Sequence, residues 1–307
     1  PNKPPEVGTE VFAVDTRGGT SPTPPTYKSG FPVDWVWERA THTTNNWSAR
    51  TRLTGNGKEF DVNLNSAEGS NSNTRIEFDR NDGLGTDTTV DSNRHAWMFK
   101  RTPGFFDVVA YNGTGSATGI NHNLGVVPEL MLVKCRSHND SWMVYANGVG
   151  PTETLVLNND NAASNFSNRW NGAPTSSVIN VSTDTSVNYS GRTYVAYLFA
   201  TLSGISKVGS YTGTGNAIDV DCGFTTGARF ILVKRTDAGA NWYLWDSTRG
   251  IVSGNDPYIL LDEPYAQATN TDFIDPLSAG FTITAAAATQ TADIATNGGS
   301  YIFLAIA

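Results

Sequence analysis

The residues best suited to contact a ligand are two tryptophans and one arginine: Trp170, its neighbour Arg169, and Trp245. Trp170 lies between Arg169 and Asn171 in a polar stretch, and neither tryptophan recurs in every copy of the repeat described below. An aromatic ring beside arginine and asparagine suits stacking on a sugar or anchoring a protein interface. The alternative is a loop tryptophan that folds back and is buried. The pattern predicts a binding surface at these three residues.

Residue types that bind metals or perform catalysis are scattered. The histidines are His42, His95, His122 and His138, and none has a partner at metal-ligand spacing. The chain has no nucleophile elbow, phosphate-binding loop or zinc signature. Asp262 and Glu263 are adjacent at a predicted strand end, so they point to opposite faces, which is poor geometry for a glycosidase. We therefore expect no catalytic residue, no metal and no cofactor.

Two weaker features complete the search for chemistry. The stretch from Asp79 to Asp87 has the composition of a calcium loop, but Gly83 and Leu84 stand where a ligand and the loop glycine should be. A tight turn is therefore favoured, with calcium binding as the open alternative. Cys135 and Cys222 fall at non-equivalent places, which predicts two free, half-buried thiols.

One stretch of the chain is repeated. Residues 130–142 (LMLVKCRSHNDSW) return as residues 230–242 (FILVKRTDAGANW), which places Lys134 on Lys234 at an offset of about 100 residues. We align a weaker third copy, residues 35–47 (WVWERATHTTNNW), with Glu38 at the lysine position and a turn one residue longer. Recurrence of the final tryptophan predicts that Trp142 and Trp242 are core residues.

The elements around the repeat are short strands. Phe60, Val62 and Leu64 alternate with polar residues, the period-two pattern of a half-buried strand. The sequence from Asn112 to Gly115 predicts a hairpin turn that requires positive φ. No long segment has helical spacing. These features predict an all-β protein of three tandem antiparallel β-sandwich modules, each with one small core. The predicted modules are residues 1–104, with a Pro-rich loop, and residues 105–204 and 205–307.

Composition narrows the class of partner. Charged residues are 16% of the chain and the net charge is −8, so we expect no nucleic-acid partner. No apolar run approaches the roughly 20 residues that span a bilayer, so we expect no membrane insertion.

Four phrases together carry a family resemblance: GVVPELMLVKCRSHNDSW, LVLNNDNAA, GRTYVAYLFA and VGSYTGTG. They resemble a module found in tandem in large virion proteins of tailed phages, chiefly marine phages and cyanophages, in tail-fibre-like or virion structural proteins. The resemblance covers nearly all of residues 105–307 and is weaker in residues 1–104. It implies a virion location and other virion proteins as partners, and it carries no catalytic residues.

These observations predict a non-enzymatic virion structural protein, a tail fibre or particle appendage that contributes to assembly and to attachment to host-surface glycan. A capsid decoration or fibre protein without a receptor role, and a polysaccharide depolymerase, stay open as alternatives. The closing strand at residues 301–306 is apolar and nearly uncharged, which predicts that a neighbour covers it. Closed symmetry among identical subunits, and analogy with phage fibres, predict a homotrimer.

Overall fold

The computed structural model describes residues 4–17, 26–70, 76–86, 93–288 and 293–307. Within these ranges the chain consists of β-strands, three short 3₁₀ helices and one α-helix of a single turn. The predicted all-β class is therefore confirmed.

The strands follow one another along the chain in three groups. The first group is β1 (Phe12–Thr16), β2 (Tyr27–Lys28), β3 (Trp35–Ala40), β4 (Ser48–Thr51), β5 (Lys58–Asp61), β6 (Gly69–Ser70), β7 (Ile76–Glu77), β8 (Gly83–Thr86) and β9 (Arg94–Phe99). The second is β10 (Phe106–Asn112), β11 (Thr118–Asn121), β12 (Leu130–Cys135), β13 (Met143–Ala146), β14 (Glu153–Val156), β15 (Ser164–Asn165), β16 (Val178–Val181) and β17 (Thr193–Phe199). The third is β18 (Ser206–Thr212), β19 (Ile218–Asp221), β20 (Phe230–Arg235), β21 (Trp242–Asp246), β22 (Ile259–Leu260), β23 (Ile274–Leu277), β24 (Gly280–Ile283) and β25 (Ser300–Ile306). The α-helix is α1 (Thr185–Asn188), and the 3₁₀ helices are Gly8–Glu10, Arg52–Thr54 and Ala285–Ala288.

Three large antiparallel sheets share one strand order. The order is β1-β9-β3-β4-β5-β6 in the first, β10-β17-β12-β13-β14-β15 in the second and β18-β25-β20-β21-β22 in the third. Each is accompanied by a small sheet: β2-β8-β7, β11-β16 and β19-β24-β23. The repeated sequence thus forms the same element each time, and Leu130 and Phe230 open corresponding strands. The module boundaries near Gly104 and Gly204 stay predictions.

Each large sheet buries both of its faces. Successive side chains of a strand point to opposite faces, and in β12 Leu132 packs on one side while Met131 and Val133 pack on the other. This is why the repeated stretch is an unbroken apolar run and does not alternate. The outer face of each sheet packs with its small sheet in an outer core.

The inner faces of all three large sheets meet in one shared core. Trp35 of the first sheet stacks on Tyr197 of the second with ring centroids 4.5 Å apart. Phe12 of the first sheet meets Phe230 of the third at 5.2 Å. Large aromatic side chains dominate the energetics of such a core. The prediction of one small core for each module was therefore wrong, because a further core belongs to all three sheets.

The closing strand β25 is covered by its own chain. It lies between β18 and β20 and is paired on both sides. Leu304 faces the shared core, and Phe303 faces the third outer core. The reason given for a covering neighbour was therefore wrong, and the homotrimer stays a prediction without that support.

The turn after β10 differs from the predicted hairpin. Strands β10 and β11 pair with β17 and β16, and not with each other. The positive φ is at Gly115, at 73°. Gly113 is required for another reason, because a Cβ there would lie 2.1 Å from the backbone oxygen of Tyr189.

Candidate functional site

The tryptophan that ends each repeat joins its sheet to a neighbouring sheet. In every copy the indole N–H donates to a backbone oxygen across the boundary: Trp142 to Asp61 at 3.0 Å, Trp242 to Val156 at 3.0 Å, and Trp47 to Leu260 at 2.7 Å. The second sheet thus donates to the first, the third to the second, and the first to the third. All three tryptophans are buried, so Trp142 and Trp242 are core residues as predicted.

A buried cation lies beside each of these contacts. The Lys134 ammonium donates to the backbone oxygens of Asn65, in the loop between β5 and β6 of the first sheet, and of Asp140. Lys234 does the same with Asp160 and Ala240.

In the first sheet, Arg39 occupies the position that corresponds to Lys134 and Lys234. Its guanidinium donates to the backbone oxygens of Leu260, Glu263 and Tyr265. The alignment of Glu38 with the lysines was therefore wrong by one residue, and the turn of the first copy is no longer than the others.

These cations have no access to a substrate. Burial lowers the pKa of Lys134 and Lys234 to about 8 and that of Arg39 to about 10. A lysine with such a pKa has the properties of a general base or nucleophile. Both lysines, however, are fully buried and bonded to backbone oxygens. The lysines satisfy backbone oxygens of loops, one in the neighbouring repeat and one in their own.

Glu38 faces the outer core of the first sheet. Its carboxylate accepts hydrogen bonds from the Tyr27 hydroxyl at 2.7 Å and from the Arg17 guanidinium at 2.8 Å. Burial, followed by the Glu38 charge, raises the pKa of Tyr27 well above its usual value. Val133 and Val233 stand at the corresponding places of the other two sheets, so a buried polar cluster here replaces apolar packing.

Both tryptophans predicted to bind a ligand are buried. Trp170 is 2% exposed and packs edge-on against Tyr145 in the second outer core, with ring centroids 5.9 Å apart. Trp245 is 0% exposed and lies in the third outer core. The prediction that they form a surface site was therefore wrong. The reason is the hydrophobic area of the indole ring, which the polar neighbours in the sequence do not keep in solvent.

Arg169 is also buried, but it supports an exposed ring. Its guanidinium lies 4.1 Å from the ring centroid of Phe166, which is 41% exposed. The other side of the arginine meets the Asp184 carboxylate at 3.5 Å. The exposed aromatic residue of this loop is thus Phe166, and the Arg169 guanidinium packs against its ring.

A second pair of the same kind lies on the other side of α1. Tyr189 is 49% exposed, and the Arg192 guanidinium lies 4.9 Å from its ring centroid. Arg192 also pairs with Asp140 at 3.4 Å. The Asp184 carboxylate accepts a hydrogen bond from the backbone N–H of Ser186 and thereby caps α1. The same carboxylate pairs with Arg169, and Tyr189 follows α1 directly in the sequence. We name the surface formed by Phe166, Arg169, Asp184, Tyr189, Arg192 and Asp140 the aromatic–arginine surface.

The aromatic–arginine surface has a sequence signal that was missed. Phe166 and Arg169, and Tyr189 and Arg192, share the pattern of an aromatic residue, two small or polar residues, and arginine. An exposed ring gives a flat apolar face for the C–H groups of a sugar, and the ion pairs next to the two rings keep the arginines in place.

The remaining predictions concern metals and thiols. Among the described residues there is no group of three or more His, Cys, Asp or Glu that could hold a metal ion. In the stretch from Asp79 to Asp87, for which a tight turn was favoured over a calcium loop, Asp82 pairs with Arg80 at 3.1 Å and Gly83–Thr86 forms strand β8. Asp87 lies outside the described residues. Cys135 and Cys222 are free and buried. In the described ranges, no helix has the length and apolar character to cross a bilayer.

Comparison with known proteins gives one match. A family model described as a domain of unknown function (DUF7483) matches residues 86–307. The match takes in the second and third large sheets and, from the first, only β9. A search of curated proteins found none that matches.

Proposed function

This chain belongs to the DUF7483 family, and we propose that it is a non-enzymatic structural protein of a phage particle. Its role is that of a tail fibre or other appendage, which contributes to assembly and to attachment to carbohydrate on the host surface. The observation that carries the attachment role is the aromatic–arginine surface.

The buried polar groups support a structural role. Lys134 and Lys234, whose pKa values burial lowers to about 8, are enclosed and donate to backbone oxygens in loops of the neighbouring repeat. A catalytic group needs a position from which it reaches the reacting atoms. These lysines connect neighbouring repeats, as expected of a structural role.

The aromatic–arginine surface supports carbohydrate binding. Phe166 and Tyr189 are exposed, and the arginine beneath each is fixed by a carboxylate. Rings whose orientation is fixed before binding lose little entropy when a ligand stacks on them. The three large sheets and their shared core form the scaffold that carries this surface.

Binding to bacterial surface polysaccharide tests the attachment role. We expect Phe166→Ala and Tyr189→Ala each to weaken binding by about two- to tenfold, because one stacked ring contributes about 0.5–1.5 kcal/mol. Tyr265→Ala is the matched control, since Tyr265 is 60% exposed and lies outside the surface. Equal binding by wild type and both surface variants would contradict the proposal.

The same incubation separates the structural role from a depolymerase. We expect the amount of reducing ends to stay constant, whereas a depolymerase would increase it with time.

The location is tested by mass spectrometry of purified particles of a phage that encodes this chain. Absence of the chain from the particles would contradict a virion role. Light scattering on the purified protein tests the predicted homotrimer.

A further inference from the structure

A cleft lies beside the link from the first large sheet to the second. It has a volume of about 750 Å³. Val11, Phe31 and Pro103 provide apolar wall, and Lys100 and Arg101 provide charge. Small-molecule sites have volumes in this range, and they combine apolar walls with a few convergent polar groups.

One cation of this cleft lacks a partner. Arg101 is neutralised by Asp107, at 2.7 Å. Among the described residues, Lys100 has no carboxylate within salt-bridge distance and its ammonium donates no hydrogen bond. Of the described residues that line the cleft, the one acid is Glu10, which is exposed and whose carboxylate accepts a hydrogen bond from the backbone N–H of Glu6. Once Arg101 is paired, the charges of Lys100 and Glu10 balance, and Lys100 is the cation of the described lining that has no carboxylate partner.

Three positions of the chain correspond to one another here, and a cation, Lys100, stands at the first of them only. Corresponding backbone bonds identify its equivalents: the amide of Lys100 donates to Val11, that of Ala200 to Phe105, and that of Ala307 to Ile205. The same backbone geometry thus accepts alanine at two places and carries lysine at the third. The backbone arrangement of this link therefore does not require a lysine, and the Lys100 side chain can be replaced without loss of the backbone bond.

We propose that this cleft binds an acidic saccharide, with Lys100 contacting a carboxylate or sulfate of the sugar. The apolar wall contacts the C–H faces of the rings, and the cation pairs with the anionic group. This inference rests on the proposed function, because it names the class of carbohydrate. It uses a site different from the aromatic–arginine surface, so the two are tested by different variants.

The test is calorimetric titration of the full chain with a trisaccharide of uronic acids. Its carboxyl-reduced form is the neutral probe, and a sulfated trisaccharide distinguishes sulfate from carboxylate. We expect the wild type to bind at least one acidic probe, at least tenfold more tightly than the neutral one, and more weakly as salt is raised. Lys100→Ala, which copies Ala200 and Ala307, should fold normally and lose at least tenfold in affinity. Lys58→Ala is the control, because Lys58 does not line the cleft.

Three results would overturn the inference. They are equal binding of acidic and neutral probes, wild-type affinity in Lys100→Ala, and failure of the wild type to bind either acidic probe. If Phe166→Ala and Tyr189→Ala still weaken polysaccharide binding in any of these cases, the proposed function stands and only the acidic site falls. A circular dichroism melt of Lys100→Ala confirms that the variant is folded, and Lys100→Gln repeats the charge removal with a longer side chain.

Discussion

The indole nitrogen of Trp142 donates a hydrogen bond to the backbone oxygen of Asp61, which lies 3.0 Å away on another sheet. The acceptors at the two corresponding contacts belong to Val156 and Leu260. Because each acceptor is a backbone group, the side chain at that position is free to vary. The donor must remain a tryptophan, since no other apolar ring of this size carries an N–H.

Removal of that donor should destabilise the protein. We expect Trp142→Phe to lower the free energy of unfolding by about 1–3 kcal/mol, because a buried carbonyl loses its partner. Trp142→Ala should cost about 3–5 kcal/mol, because it also leaves a cavity. The matched control is Trp170→Phe, since the Trp170 indole nitrogen has no hydrogen-bond partner among the described residues. Urea denaturation measures all three, and equal losses in Trp142→Phe and Trp170→Phe would contradict a role for the hydrogen bond.

The buried lysines should make stability rise with pH in the alkaline range. The pKa of Lys134 and of Lys234 is about 8 in the folded protein, against an ordinary value of 10.5. Between these values the unfolded chain binds more protons, so the free energy of unfolding increases as the pH rises. Lys134→Met should remove its share of this increase, whereas Lys58→Met should leave it unchanged. Denaturation at intervals from pH 7.5 to about 10 measures the difference, and parallel curves for wild type and Lys134→Met would refute the assignment.

Asp262 should have the opposite effect at lower pH. Burial raises its pKa to about 7 from 3.8. Between these values the folded protein binds more protons than the unfolded chain, so stability falls as the pH rises from about 4 to about 7. Asn63 and Asn158 stand at the corresponding positions, where an amide oxygen accepts the same backbone bond from Trp47 and Trp142.

We therefore expect Asp262→Asn to stabilise the protein at pH 8 and to remove this loss between pH 4 and 7. The reverse change, Asn158→Asp, should introduce a loss of the same kind. Thermal unfolding across the pH range checks both, and a destabilised Asp262→Asn at pH 8 would show that the carboxylate is needed there.

Gly209 and Phe303 should be coupled. A Cβ at Gly209 would lie 2.5 Å from the Phe303 ring, whereas the second sheet has Val109 opposite Ala196 at the corresponding pair. Gly209→Val alone should cost about 1–3 kcal/mol by overpacking. In the double variant Gly209→Val with Phe303→Ala, the loss should be smaller than the sum of the two single losses. A double-mutant cycle measures the coupling energy, and simple additivity would contradict it.

Local pattern predicted the strands well and their partners poorly. The repeat around Lys134 identified a strand at the observed place. The alternation of Phe60, Val62 and Leu64 found β5 but displaced it, since the strand is Lys58–Asp61 and Leu64 is exposed. The same pattern could not show that β10 and β11 belong to different sheets, because pairing depends on residues that lie far away in the sequence. Nor could it show the shared core, since a strand buried on both faces has the same apolar run whichever sheet covers it.

The site predictions failed where burial decides the outcome. Trp170 has polar neighbours in sequence, but its ring fills the second outer core. The smaller ring of Phe166, four residues earlier, stays exposed on Arg169. The error at Glu38 has another cause, because a shift of one residue exchanges the two faces of a strand. Aligning one charged residue with another placed Glu38 at the lysine position, whereas its side chain lies on the opposite face from Arg39.

The direction of the tryptophan contacts fixes how many copies the structure can contain. Each copy gives a bond to the one before it and receives a bond from the one after it, and the first copy gives its bond to the last. A head-to-tail interface that returns to its start makes a closed ring of fixed size. An open array can gain or lose a unit by gene duplication or deletion, with little effect on the rest. In this chain, either event would leave an unmatched donor and an unmatched acceptor and would open the shared core to water.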